Sequence, residues 1–135
     1  MFIIKNKYFL IIESIKDIDL RNIKKRDKII IIYRNNKTYD TFSKLHNFRN
    51  TCKIKKIKLF IANDMHLCKN LKADGVYISA NNLSLKYSRF KSSNVELIGA
   101  AHNNKEIKIK NLQGCKDIIF SRLFRTSYEH KKNFL

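Results

Sequence analysis

The sequence contains no proline and only three glycines in 135 residues. Loops of α/β proteins usually draw on both, so the turns here fall to polar residues such as Asn63-Asp64 and Asn81-Asn82. Cysteine is scarce too. Cys52, Cys68 and Cys115 form an odd, widely spaced set, which is not a disulfide framework, and no CxxC pair points to zinc. A reducing cytoplasm is the expected location. No apolar stretch is long enough to span a membrane. The opening MFIIKNKYFLIIESI is basic and apolar like a secretory leader, but charges interrupt it and no small-residue cleavage site follows. There is no GxGxxG after the first strand and no GxxxxGK[ST], which argues against dinucleotide-binding and P-loop folds.

Negative charge is the other shortage. Eleven acidic residues face 29 basic ones, for a formal net charge of +18. One reading is a nucleic-acid surface. The other is a compositional bias toward Lys, Ile and Asn, with lysines covering solvated faces. The second is favoured because the lysines run along the whole chain, with few arginines to form phosphate-gripping forks. Nucleic acid is therefore not the expected partner.

What the sequence does contain is a rhythm of short apolar runs. Tyr8–Ile12, Lys28–Tyr33, Ile57–Ala62, Val76–Ser79, Glu96–Ala101 and Asp117–Ser121 read as six strands. They recur about every 20 to 25 residues, with weak helical segments between them, as in parallel βα units with right-handed crossovers. Continuous apolar runs such as KIIIIY imply burial on both faces. Thr38 or Asp40 is placed to cap the helix after the second strand. His46, on the apolar face of that helix, reads as structural. Polar residues collect where the strands end: Arg34 to Lys37, Asn63-Asp64, Asn81-Asn82 and His102 to Asn104. The small residues at the end of ELIGAA fit either space for a ligand or backbone crowding. The expected fold is α/β, a partial (β/α) TIM-barrel-like arrangement of about six parallel strands in one domain over residues 1–135. A closed barrel usually needs about 250 residues.

These blocks, taken in order, resemble the thiamine phosphate synthase family and its thiazole tautomerase relatives, which are (β/α)8 barrels. IIIIYRNNK resembles the family's Gln-Leu-Arg-x-Lys strand, with Arg34 and Lys37 on its basic positions. LFIANDMHLCKNLKADGVYISANNL resembles the Asn-Asp motif followed by Ala-Asp-Gly-Val-His-Leu-Gly-Gln-x-Asp-Leu. Asn63, Asp64, Ala73, Asp74, Gly75, Val76 and Leu83 match; Tyr77 replaces the histidine and Asn82 the aspartate. In LIGAAHNNKE, Gly99 and Glu106 match, Ala101 stands for a serine, and His102 falls one place before the family histidine. In the last block Gly114, Phe124 and Thr126 match, and Lys131 or Lys132 stands for the terminal lysine. The family's last two strands, which carry the phosphate-binding loop, would lie beyond Leu135.

The resemblance implies a reaction in which a pyrimidine diphosphate is joined to a thiazole phosphate in thiamine biosynthesis. It implies that Arg34, Lys37 and Asn63 hold the diphosphate, that Asp64 and Asn82 occupy the Mg²⁺ positions, and that Thr126 and Lys131 contact the other end of a phosphorylated small-molecule substrate. His102 supports an alternative, a thiazole tautomerase in which a histidine near neutral pKa moves a proton without metal. A third reading is a degenerate, non-catalytic paralogue that binds or assembles. An incomplete barrel would leave strand edges open, and a second copy of the chain would cover them.

Overall fold

A computed structural model describes residues 2–4, 7–23, 28–35, 40–90 and 93–120. The chain divides into two compact units, Met1–Val76 and Tyr77–Leu135. Among the described residues seven strands follow one another in chain order.

In the first unit, β1 (Phe2–Ile4) pairs antiparallel with β2 (Lys7–Ile12), Ile3 opposite Tyr8. The leader-like opening therefore forms a hairpin strand that its apolar pattern did not reveal. β3 (Ile29–Tyr33) lies parallel to β2, and β4 (Lys58–Ala62) parallel to β3. In β3, Ile30, Ile31, Ile32 and Tyr33 are all buried, as are Leu59, Phe60 and Ile61 in β4. Burial without alternation means that both faces are covered, and the β-branched run suits that environment. Each such side chain contributes about 1.5–3 kcal/mol of hydrophobic stabilisation.

The crossovers are helical. The described part of the stretch after β2 makes 3-10 turns at Ile15–Asp17 and Leu20–Asn22. α1 (Phe42–Ile54) follows β3 and is capped by Thr41, whose hydroxyl accepts from the Lys44 amide. Asp40 is not the cap, and Thr38 lies outside the described residues. Leu45 and Cys52, two turns apart, are the buried positions of α1, and His46 is exposed. α2 (Met65–Leu71) follows β4 and buries Cys68 and Leu71. With glycine so rare, Lys56, Asn63 and Lys72 take the left-handed conformations that end strands and helices, at φ 60°, 57° and 54°. The Arg49 guanidinium donates twice to the Lys72 carbonyl, at 3.0 and 2.7 Å, at the C-terminus of α2. Asp74 then aligns the chain against β4. Its amide donates to the Leu59 carbonyl (2.9 Å) and its carboxylate accepts from the Leu59 amide (2.8 Å).

β5 (Gly75–Ile78) spans the division between the units. In the second unit a 3-10 segment (Leu85–Phe90) replaces the weak helix expected there. β6 (Glu96–Ala101) and β7 (Asp117–Phe120) pair in parallel, Gly99 opposite Ile118. Between them α3 (Asn104–Gln113) starts on the Asn103 cap and ends on Gly114 at φ 95°. Its buried residues are Lys110 and Gln113, while Leu112 is 61% exposed.

Candidate functional site

In the first unit the candidate residues sit beyond the C-terminal ends of two neighbouring parallel strands. Tyr33 is opposite Ile61 in the β3–β4 register, so Arg34 leaves β3 close to where Asn63 leaves β4. The Arg34 amide donates to the Ile12 carbonyl at 2.8 Å, which fixes its backbone against β2, and its side chain is half-buried. Asn63 and Asp64 are exposed. Each has a local reason to be there. Asn63 takes the left-handed turn, which asparagine tolerates better than most residues. Asp64 caps α2, its Oδ1 accepting from the Leu67 amide at 2.9 Å. The cap uses one carboxylate oxygen.

Behind Arg34 lies a polar cluster that the sequence pattern did not reveal. Asp40 accepts from the Tyr33 hydroxyl (2.9 Å), the Ser14 hydroxyl (3.1 Å) and the Ile15 amide (3.1 Å). Asn35 also bonds the Tyr33 hydroxyl. Burial raises the Asp40 pKa, but the bonds from Ile15, Tyr33 and Ser14, with the charge of Lys16, outweigh it and leave it below the ordinary value. Burial is also the main reason the Tyr33 phenol is pushed up to about 12. The cluster ties the end of β2 to the end of β3, and so sets where Arg34 begins. The only sequence signal for it was a tyrosine closing a run of isoleucines.

In the second unit, Asn82 lies in the loop after β5. Its Oδ1 accepts from the Ser84 amide (3.1 Å) and its Nδ2 donates to the Tyr87 hydroxyl (3.3 Å). Its main-chain carbonyl accepts from Lys110 Nζ (3.0 Å) and Gln113 Nε2 (2.8 Å). His102 follows β6. Its amide donates to Glu106 Oε1 at 2.7 Å, and its ring Nδ1 lies 3.3 Å from the same oxygen. The Glu106 amide in turn donates to Asn103 Oδ1 at 2.9 Å, the N-cap bond at the start of α3.

The small residues of β6 have a packing reason at Gly99. A Cβ there would stand 2.5 Å from Lys110 Cδ and 2.7 Å from Cys115 Sγ. Crowding, rather than room for a ligand, requires this glycine.

The structure thus places Arg34, Asn63 and Asp64 at adjacent strand ends in one unit, and Asn82 and His102 at strand ends in the other. Lys37, Thr126 and Lys131 lie outside the described residues, as do Ser121, Phe124 and Lys132. Among the described residues no three His, Cys, Asp or Glu side chains gather as a metal site. Among the same residues no helix is long and apolar enough to cross a membrane.

A thiamine phosphate pyrophosphorylase from Pyrococcus furiosus has a similar structure, with a TM-score of 0.57 at 13% sequence identity. The alignment covers 84% of this chain and 59% of that one, so the chain spans well under two thirds of its structural relative. At that identity the likeness shows the fold, a partial (β/α) TIM-barrel-like arrangement of six parallel strands, β2 to β7, with β1 added antiparallel. A search of curated proteins returned no match. The family model described as thiamine monophosphate synthase matches residues 8–134, nearly the whole sequence, and the chain belongs to that family.

Proposed function

We propose that the chain catalyses a thiamine phosphate synthase reaction, in which a pyrimidine diphosphate is joined to a thiazole phosphate. The bond between the pyrimidine methylene carbon and the diphosphate breaks and its electron pair leaves with the diphosphate. The thiazole nitrogen lone pair forms the new carbon–nitrogen bond. The observation that carries this reading is the placement of Arg34, Asn63 and Asp64 at the C-terminal ends of the neighbouring strands β3 and β4. That end is where this fold binds phosphorylated ligands. Arg34, with Lys37, would neutralise diphosphate oxygens, and the Asn63 amide would donate to them. Thr126 and Lys131 would contact the thiazole phosphate.

A magnesium ion is compatible with the residues present. Mg²⁺ is commonly held by one or two carboxylates plus substrate phosphates, and the Asp64 cap engages one of its two carboxylate oxygens. Asp64 would hold the ion; Asn82, at the other position that the resemblance gives to the metal, carries a neutral amide oxygen. The ion supplies positive charge to the leaving diphosphate. The partner is then a phosphorylated small molecule, and the setting a reducing cytoplasm.

His102 favours a second reading, thiazole tautomerase. It follows β6 with its ring Nδ1 3.3 Å from Glu106 Oε1, and a histidine at that strand end would move the proton. One set of assays separates the two. The purified chain, given both substrates and magnesium, is expected to form thiamine phosphate, and Arg34→Ala is expected to lower the yield at least tenfold. Absence of product at high protein concentration rules out synthase activity. Magnesium-independent isomerisation of the thiazole, abolished by His102→Asn, would establish the tautomerase reading in its place.

A further inference from the structure

Two of the three buried polar or charged side chains among the described residues are on α3. Lys110 and Gln113 are both 0% exposed. Their positions, three apart, bring them to one face of the helix. Burying an ammonium is costly, and burial does lower the Lys110 pKa, against the opposing pull of Cys115 and Glu106. Something must compensate.

The partners on both side chains are main-chain carbonyls of one loop. Lys110 Nζ donates to Asn82 O at 3.0 Å. Gln113 Nε2 donates to Asn82 O at 2.8 Å and to Ser84 O at 2.9 Å. A buried carbonyl left unpaired is destabilising, and this loop has no helix or strand of its own to supply donors. Gly99 is part of the arrangement, since a Cβ there would collide with the Lys110 stem. Among the described residues Gln113 Oε1 has no hydrogen-bond partner, and the bonds of this amide are those its NH₂ group makes to the loop.

We infer that Lys110 and Gln113 are positioning residues for Asn82: α3 clamps the loop after β5 through that carbonyl and so fixes the Asn82 side chain. With its carbonyl held, Asn82 turns its carboxamide toward Ser84 and Tyr87. The functional meaning of the clamp rests on the proposed synthase reading, in which Asn82 stands at a metal position. The clamp itself does not.

The test uses the full chain with Lys110→Met, Gln113→Leu and Lys110→Ala. Met keeps most of the stem beside Gly99 and removes the ammonium. Hydrogen exchange is followed at the Asn82 and Ser84 amides, which donate to Ser79 O and Asn82 Oδ1. Losing a charge-assisted bond to the loop is expected to speed exchange there about tenfold or more, with β6 and β7 amides unchanged. Gln113→Leu is expected to do the same and decides the matter if Lys110→Met does not fold. Unchanged loop exchange in Lys110→Met, with a change only in Lys110→Ala, would assign Lys110 to stem packing and overturn the clamp. Calorimetry with inorganic diphosphate and magnesium is the second readout. Binding weakened about tenfold in the two isosteric variants supports the positioning role, and binding equal to the parent chain overturns it. If the parent chain binds no magnesium diphosphate, the synthase reading falls, and the exchange result still decides the clamp.

Discussion

The helices of the two units are built on opposite patterns. In the first, α1 buries Leu45 and Cys52, and α2 buries Cys68 and Leu71. Polar residues there work at helix and strand ends, as Asp64 does at its cap and Asp74 at the Leu59 main chain. In the second, α3 buries a lysine and a glutamine and leaves Leu112 61% exposed. The difference lies in what each helix has to cover. α1 and α2 contact strand β4, whose own ladder satisfies its backbone. α3 contacts strands β6 and β7 as well, and in addition it reaches a loop whose carbonyls at 82 and 84 accept from its side chains. Hydrophobic periodicity therefore describes the first case and fails in the second.

The largest effect that would break this contrast is a core deletion. Leu71→Ala in α2 removes a side chain that is 2% exposed, and the expected loss is about 2–5 kcal/mol in urea unfolding. Leu112→Ala in α3 is expected to stay within about 0.5 kcal/mol, as exposed substitutions generally do. Comparable losses at the two sites would mean that Leu112 is packed in solution and that the contrast is wrong.

How far the sequence revealed all this follows the same division. The buried strands were legible because a run such as IIIIY admits few alternatives to a strand covered on both faces. Their ends were legible within a residue or so, since Asn63-Asp64 and His102-Asn103 are the turn and cap residues that physical chemistry expects. β1 was not legible. It is three residues long, and its identity as a strand rests on pairing with β2 rather than on its own pattern. The Asp40 cluster and the Lys110–Gln113 face were hidden for a related reason. Nothing in the local pattern of α3 marks Lys110 as a core position, because its burial answers to a carbonyl 28 residues away. Arg34, Asn63 and Asp64 were found through family resemblance, because local physics alone explains Asn63 and Asp64 as a turn and a cap.

A smaller effect concerns the missing glycines. Lys72 holds φ 54° at the end of α2, whereas α3 ends on Gly114. The left-handed region penalises a Cβ, and the Arg49 bonds go to the Lys72 main chain, not its side chain. Lys72→Gly is therefore expected to raise stability by about 1 kcal/mol, although glycine's greater freedom in the unfolded chain offsets part of that gain. Gly114→Ala is expected to lower it by a similar amount. A loss in Lys72→Gly, measured by urea midpoint, would show that the lysine side chain contributes packing that outweighs its backbone strain.

The smallest effect separates the units by pH. Burial pushes the Cys52 thiol up to about 12 and the Cys68 and Cys115 thiols to about 11, from an ordinary 9.0. A group whose folded pKa is raised holds its proton more tightly in the folded state. Its contribution is fully present below pH 9.0 and is lost as pH rises through the folded values. Lys110 has the opposite sign. Its folded pKa is lowered from 10.5, so between the two values the unfolded chain binds more protons and stability rises with pH. The parent chain thus combines a thiol loss from both units with a lysine gain from the second alone. Lys110→Met removes the gain, and its urea midpoint is expected to fall more steeply than the parent's as pH climbs from neutral to 10.5. Curves that stay parallel would mean that Lys110 pays no burial penalty. α3 would then differ from α1 and α2 only in the bonds that its buried side chains make to the loop.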